Sequence, residues 1–289
     1  MTGQRFQRRN HGGGHSYSLD GQRVPGVTTI LGTLNKDALV GWAAKQSAAY
    51  AVENWDRLSR LDVLTRATEI ERARFATNRK ATTKGTRIHA LGEELAHGRA
   101  VDVPAEFQPQ VEAYARFLDM WDLETIATET PVCHSGYQYA GTFDLIARSD
   151  KLGTVLCDIK TGKGVYSETA LQLAAYRYAD LRLEQAVEVG PRGGRKVSWV
   201  ERPAIEVDHA VVFHITDDAV ELVPLVTTPS VFTSFLYLLE VYVTWIERTN
   251  WKNKDDEKFA PVVGNALWPE SPDLAEVLNA IEEEEPEND

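Results

Sequence analysis

Apolar and polar positions are patterned most clearly between residues 125 and 160. Residues 125–132 (TIATETPV), 137–147 (YQYAGTFDLIA) and 154–160 (TVLCDIK) read as three strands of one sheet. The last two are joined as a hairpin through a tight turn over Ser149–Gly153. On the third strand Asp158 and Lys160 are two residues apart, so both side chains leave the same face. Val155, Cys157 and Ile159 point the other way, into apolar core. Asp144 interrupts the apolar run of the second strand. The spacing then predicts a helix over residues 167–180, with Ser167 as its cap and Gln172 and Tyr176 on one face.

The remaining pattern frames this segment. After a polar, glycine-rich start, residues 16–20 and 22–24 predict a hairpin around Asp20–Gly21. Pro25 and Gly26 end it, and Thr28 or Thr29 opens a short helix over Ile30 and Leu31. Residues 37–53 form a strong helical pattern, with Leu39, Trp42, Ala43 and Tyr50 as a core-packing stripe. Further helical segments cover 58–74, 88–95 and 111–118, the last after a loop over 104–109 and carrying core aromatics. A basic loop over 192–196 precedes an apolar stretch at 197–200. Residues 210–215 and 219–225 read as a strand pair joined across Thr216–Asp218, and 232–245 as a long apolar helix covering the sheet. The expected fold is α/β, a central mixed β-sheet flanked by helices, with an N-terminal helical addition. Residues 1–84 are an N-terminal strand and helical region packed on the core, 85–250 the core, and 251–289 a polar linker and acidic tail.

Composition narrows the functional classes. A chain of 289 residues, 43% hydrophobic and 26% charged, has the makeup of a soluble globule. No apolar stretch reads as membrane-spanning and the N-terminus lacks a signal-peptide core, so the cytoplasm is the expected compartment. Cys133 and Cys157 are too few for a disulfide scaffold or a four-cysteine iron–sulfur cluster. The net charge of −12 argues against a nucleic-acid partner, but its distribution argues for one. Residues 66–87 hold Arg66, Arg72, Arg74, Arg79, Lys80, Lys84 and Arg87 against only Glu69 and Glu71. Arg72, Arg74, Arg79, Lys80, Lys84, Arg87 and Lys163 are the candidate DNA contacts. Arg5, Arg8 and Arg9 read as a loose basic terminus, with phosphate contact as the alternative, and His11 and His15 lack partners for a metal set. Gly162-Lys163-Gly164 fails as a nucleotide loop, because Gly164 replaces the required Ser or Thr and Cys157 stands at the first glycine.

Two carboxylates and an ammonium converging at one sheet edge are costly unless paired or bound to a metal. Asp144, Asp158 and the Ile159 carbonyl suit a hard divalent ion, Mg²⁺ or Mn²⁺, and Lys160 suits water positioning and oxyanion stabilisation. Gln172 and Tyr176 orient the lysine or the substrate backbone. Taken together, Gly141-x-x-Asp144, Asp158-x-Lys160 and Gln172-x-x-x-Tyr176 resemble the PD-(D/E)xK nuclease superfamily in its RecB-like exonuclease branch, which includes phage recombination exonucleases. The resemblance covers residues 85–180 and extends more loosely to Pro25–Ile30. It implies a restriction-endonuclease-like core. It implies that His89 is a metal ligand on an upstream helix, and that Glu129 is the acidic residue on the strand before Gly141. Glu93, four residues beyond His89, orients that imidazole or serves a second ion. The implied activity is a metal-dependent DNA exonuclease of phage or bacterial recombination and repair. Its partners are DNA and either a single-strand annealing protein or a separate helicase, with no membrane. Oligomeric state, polarity and the number of ions stay open. A structure- or site-specific endonuclease and a catalytically silent DNA-binding scaffold are the alternatives.

Overall fold

The computed structural model describes residues 5–12, 14–34, 37–75, 87, 91, 103–161, 164–189, 195–216 and 220–249. The basic N-terminus is not loose. Phe6–His11 (β1), Gly14–Leu19 (β2) and Gln22–Val24 (β3) form an antiparallel three-stranded sheet. Asp20 and Gly21 have φ of 50° and 83°, the left-handed pair that an Asp-Gly hairpin turn requires. Phe6, Tyr17, Leu19 and Val24 are buried on one face, against Cys133, Ala140 and Leu183.

Val27–Leu31 (α1), Asp37–Glu53 (α2), Trp55–Leu58 (α3) and residues 63–75 (α4) follow. The α2 limits are those expected from the pattern, but its stripe is not core. Leu39 is 55% exposed, and Trp42, Ala43 and Tyr50 are half-buried. Asp62 Oδ1 accepts the N–H groups of Leu64 and Thr65 and so starts α4. Arg66 donates to the carbonyls of Leu58, Ser59 and Leu61, so this member of the basic cluster closes the α3–α4 corner.

Ala105–Phe107 is a 3-10 turn where a loop was expected, and it runs into Gln108–Trp121 (α5). The strands Glu124–His134 (β4), Tyr139–Ser149 (β5) and Gly153–Lys160 (β6) match the sequence reading within a few residues. Glu168–Arg177 (α6) follows; Ser167 stands at its N-cap without a side-chain capping bond, contrary to expectation. Leu181–Val189 (β7) was not expected, although LRLEQAVEV alternates at the strand period. Arg195–Pro203 (β8), His209–Ile215 (β9), Val220–Leu225 (β10) and Pro229–Val241 (α7) follow, and a π-helical stretch over Tyr242–Glu247 completes the described order. β4 to β10 form one mixed seven-stranded sheet in the order β10-β9-β6-β5-β4-β7-β8, in which β6 and β9 run parallel and the other neighbours antiparallel.

β6 lies between β5 and β9 and is buried from Thr154 to Ile159, which is why its sequence is almost continuously apolar. On one face Leu145, Cys157, Ile159, Val211, Phe213 and Ile215 pack against Val111, Tyr114 and Phe117 of α5. Those α5 positions recur at helical spacing. Each such side chain contributes roughly 1.5–3 kcal/mol by burial. α6 lies on the other face, where it reaches Asp158.

The chain divides into two compact units, residues 1–238 and 239–289. Pro229–Glu247 is 19 residues long with mean hydropathy 1.2, long and apolar enough by length and composition to cross a membrane. This corrects the reading that no apolar stretch reaches that length. Phe232 and Phe235, near its start, pack on Tyr139.

Both thiols are fully buried. Burial pushes Cys133 up to about 12 and Cys157 well above its ordinary value. Neither is expected to react with a thiol reagent at pH 8 until the protein unfolds. The folded state holds the Cys133 proton to higher pH than the unfolded chain does. The associated stability is therefore fully present below the ordinary value of 9.0 and falls as pH rises from there toward about 12. Thiol titration with and without denaturant, and thermal unfolding across that range, check both statements; rapid native labelling contradicts them.

Candidate functional site

The site is set by strand register. Thr128↔Leu145 and Thr130↔Phe143 bring Glu129 beside Asp144 across β4 and β5. The β5–β6 ladder ends at Leu145↔Cys157, so the next step sets Asp144 opposite Asp158. Residues opposed in adjacent strands share a face, so Asp144 and Asp158 stand together. One step further along the same face, Lys160 pairs with His214 of β9, and His214 with Glu221 of β10.

The bonds are specific. Asp144 Oδ2 accepts the Ile159 N–H at 2.8 Å. Asp158 is 2% exposed; Gln172 Nε2 donates to its Oδ1 at 3.2 Å, and Lys160 Nζ lies 2.7 Å from its Oδ2. A carboxylate buried this deeply is tolerable because it is ion-paired and hydrogen-bonded. Gln172 Nε2 also donates to the Tyr176 hydroxyl at 3.3 Å. Tyr139 donates to the Ala175 carbonyl at 2.8 Å, which ties α6 to β5. Burial holds the Tyr176 phenol well above its usual range; the neighbouring Tyr17, Asp144 and Asp158 add to this, while the Gln172 hydrogen bond opposes it. Tyr176 is therefore a neutral hydrogen-bonding group, not a base. Glu129 has φ of 42°, a left-handed conformation inside a strand that costs on the order of 1–3 kcal/mol for a non-glycine residue.

Asp144, Asp158, Ile159, Lys160, Gln172 and Tyr176 thus come together, and register adds Glu129. His89, Glu93, Arg79, Lys80, Lys84 and Lys163 lie outside the described residues. Arg72 and Arg74 lie on α4, which is tied to α2 and α3 through Glu69 and its bonds from Tyr50 and Arg57. Arg74 pairs with Glu71 and stacks on Phe75, while Arg87 lies over Phe107. Sequence reasoning missed His214, set beside Lys160, and Glu221, whose side chain approaches His214 to 3.7 Å, because the parallel β6–β9 pairing that brings this strand pair to the site leaves no local signal. It also missed Tyr17, whose hydroxyl is 2.7 Å from Thr142 Oγ1, two residues before Asp144.

Among the described residues no three His, Cys, Asp or Glu side chains form a ready-made metal set. The donors present still suit one kind of ion. The N–H and C=O of a strand residue leave on the same side. The Ile159 carbonyl therefore projects toward β5, the side on which its N–H meets Asp144. Two carboxylates and a carbonyl fit Mg²⁺, which is usually held by one or two carboxylates and keeps several waters. A cation at Asp158 competes with the Lys160 ammonium for Oδ2.

No model of a known protein family matches this sequence, and no curated protein matches it.

Proposed function

We propose that this protein is a Mg²⁺- or Mn²⁺-dependent deoxyribonuclease that works from DNA ends. The observation that carries the reading is the joining of Asp144, Asp158 and Lys160 on one sheet face with Gln172 and Tyr176 of α6 beside them. Phosphodiester hydrolysis needs an attacking water, charge relief at phosphorus and a stabilised leaving oxygen. Asp144, Asp158 and the Ile159 carbonyl would hold the ion, and the resemblance adds His89, outside the described residues, as a further ligand. When bound, the ion neutralises phosphate charge and lowers the pKa of water. Lys160 positions the water and stabilises negative charge developing on the phosphate oxygens. Gln172 fixes the Asp158 carboxylate, and Tyr176 fixes Gln172. The backbone-directed chemistry supports cleavage without sequence choice. DNA is the macromolecular partner.

The test compares closed circular duplex, the same molecule linearised, and end-labelled duplexes, with Mg²⁺ or Mn²⁺ and with chelator. The expected result is progressive loss of linear forms only, abolished by chelator. Internal cutting of the circle overturns the end-directed reading and leaves a metal-dependent endonuclease. No cleavage in any metal, together with no metal binding, overturns the nuclease reading and favours a silent DNA-binding protein.

A further inference from the structure

The N-terminal sheet has two unlike faces. Phe6↔Leu19, Arg8↔Tyr17 and Tyr17↔Val24 are register pairs, so Arg8 shares the face of these four buried residues. Arg9 pairs with Ser16 on the opposite, outward face. The inward face is docked on the strand that carries Asp144. The Ala140 N–H donates to the Pro25 carbonyl, and the Tyr17 hydroxyl meets Thr142 Oγ1 at 2.7 Å. Thr142 lies two residues before Asp144 on β5, so the two side chains leave the same face of that strand. Arg8 therefore stands one strand from Tyr17, whose hydroxyl reaches the face of β5 that carries Asp144.

Arg8 differs from the arginines that are held by carboxylates. Arg5 pairs with Asp20, Arg57 with Glu69 and Arg182 with Glu184. Arg8 pairs with no carboxylate among the described residues. Among the described residues its Nη2 approaches His15 Nδ1, at 3.5 Å, and its Nε is buried without a hydrogen-bond acceptor. A guanidinium is a planar fork suited to two oxygens of a phosphate, and the Nη edge of Arg8 is exposed and pairs with no carboxylate among the described residues.

We propose that Arg8 is a phosphate-binding residue of this site, delivered by the N-terminal sheet to a phosphodiester of the DNA strand that passes the Asp144 face of β5. This rests on the nuclease reading and adds to it the element that holds the substrate backbone.

The experiment measures binding of a fluorescein-labelled oligonucleotide in Ca²⁺ at several salt concentrations, beside thermal unfolding of each variant. Losing one phosphate contact lowers the slope of log affinity against log salt by about 0.7–0.9. Arg8→Gln is expected to show that drop and roughly severalfold weaker binding at an unchanged thermal midpoint. Arg9→Gln keeps both slope and affinity. Arg8→Lys keeps the slope, because the charge remains, but binds more weakly because the fork is lost. Where Arg8→Gln is thermally destabilised, Arg8→Lys decides: wild-type affinity overturns the proposal. Wild-type binding matched by Arg8→Gln overturns the Arg8 assignment alone. No salt-dependent binding by the wild type overturns it together with the nuclease reading.

Discussion

Lys160→Ala is expected to lower turnover on linear DNA by about 10²–10³-fold, the scale of losing one charge-stabilising group at a reacting oxygen. DNA affinity is expected to stay close to wild type, because affinity resides in backbone contacts spread over many phosphates. Metal binding is expected to hold or tighten. Lys160 Nζ lies 2.7 Å from Asp158 Oδ2, so removing it frees that oxygen for a cation. The buried Asp158 carboxylate then keeps Gln172 as a donor but loses its ammonium, and the metal-free protein loses stability. Lys160 is about a third exposed, so that loss is smaller than for a fully buried pair. Single-turnover cleavage, Mn²⁺ titration and thermal unfolding with and without metal separate these effects. Wild-type turnover in Lys160→Ala removes Lys160 from the chemistry. Loss of turnover that simply follows loss of folding returns it to a structural ion pair.

Gly141→Ala is expected to destabilise the protein by roughly 1–3 kcal/mol, the usual penalty for overpacking a closed core. A Cβ at residue 141 falls 2.3 Å from Tyr176 Cε1 and 3.2 Å from both Cδ1 and Cζ of the same ring. Tyr176 is 6% exposed, so its ring cannot swing into solvent. Gly141 and Tyr176 therefore form one contact. Displacing the ring disturbs Gln172, which bonds both Tyr176 and Asp158, so activity is expected to fall along with stability. A double-mutant cycle checks the cause. In a Tyr176→Ala background the cost of Gly141→Ala should shrink, with a coupling of about 0.5–3 kcal/mol. Equal costs in both backgrounds show that the Tyr176 ring is not what excludes a side chain at residue 141.

What the sequence could determine was what local periodicity carries. A two-residue repeat puts Asp158 and Lys160 on one face wherever the strand ends up, and a four-residue spacing does the same for Gln172 and Tyr176 on a helix. The short turn over Ser149–Gly153 joins β5 and β6 as neighbours, so Asp144 and Asp158 had to approach. The α2 limits followed from its composition, but its burial did not, because an apolar stripe does not name what covers it. The alternation of β7 is legible, but it follows directly on the stronger helical pattern of α6.

The tertiary structure alone decided the rest. Parallel pairing of β6 with β9 follows a crossover through α6, β7 and β8, and only that pairing brings His214 and Glu221 to Lys160. Docking of the N-terminal sheet on β5 turned a stretch that read as a loose basic terminus into a face holding Arg8 and Tyr17 near the site. The left-handed Glu129 and the ring over Gly141 are likewise long-range outcomes. The physical reason is common to all of them. A side chain's direction is set by its own backbone and is written in nearby residues, whereas its neighbours across a sheet depend on which distant strand buries the most apolar surface beside it.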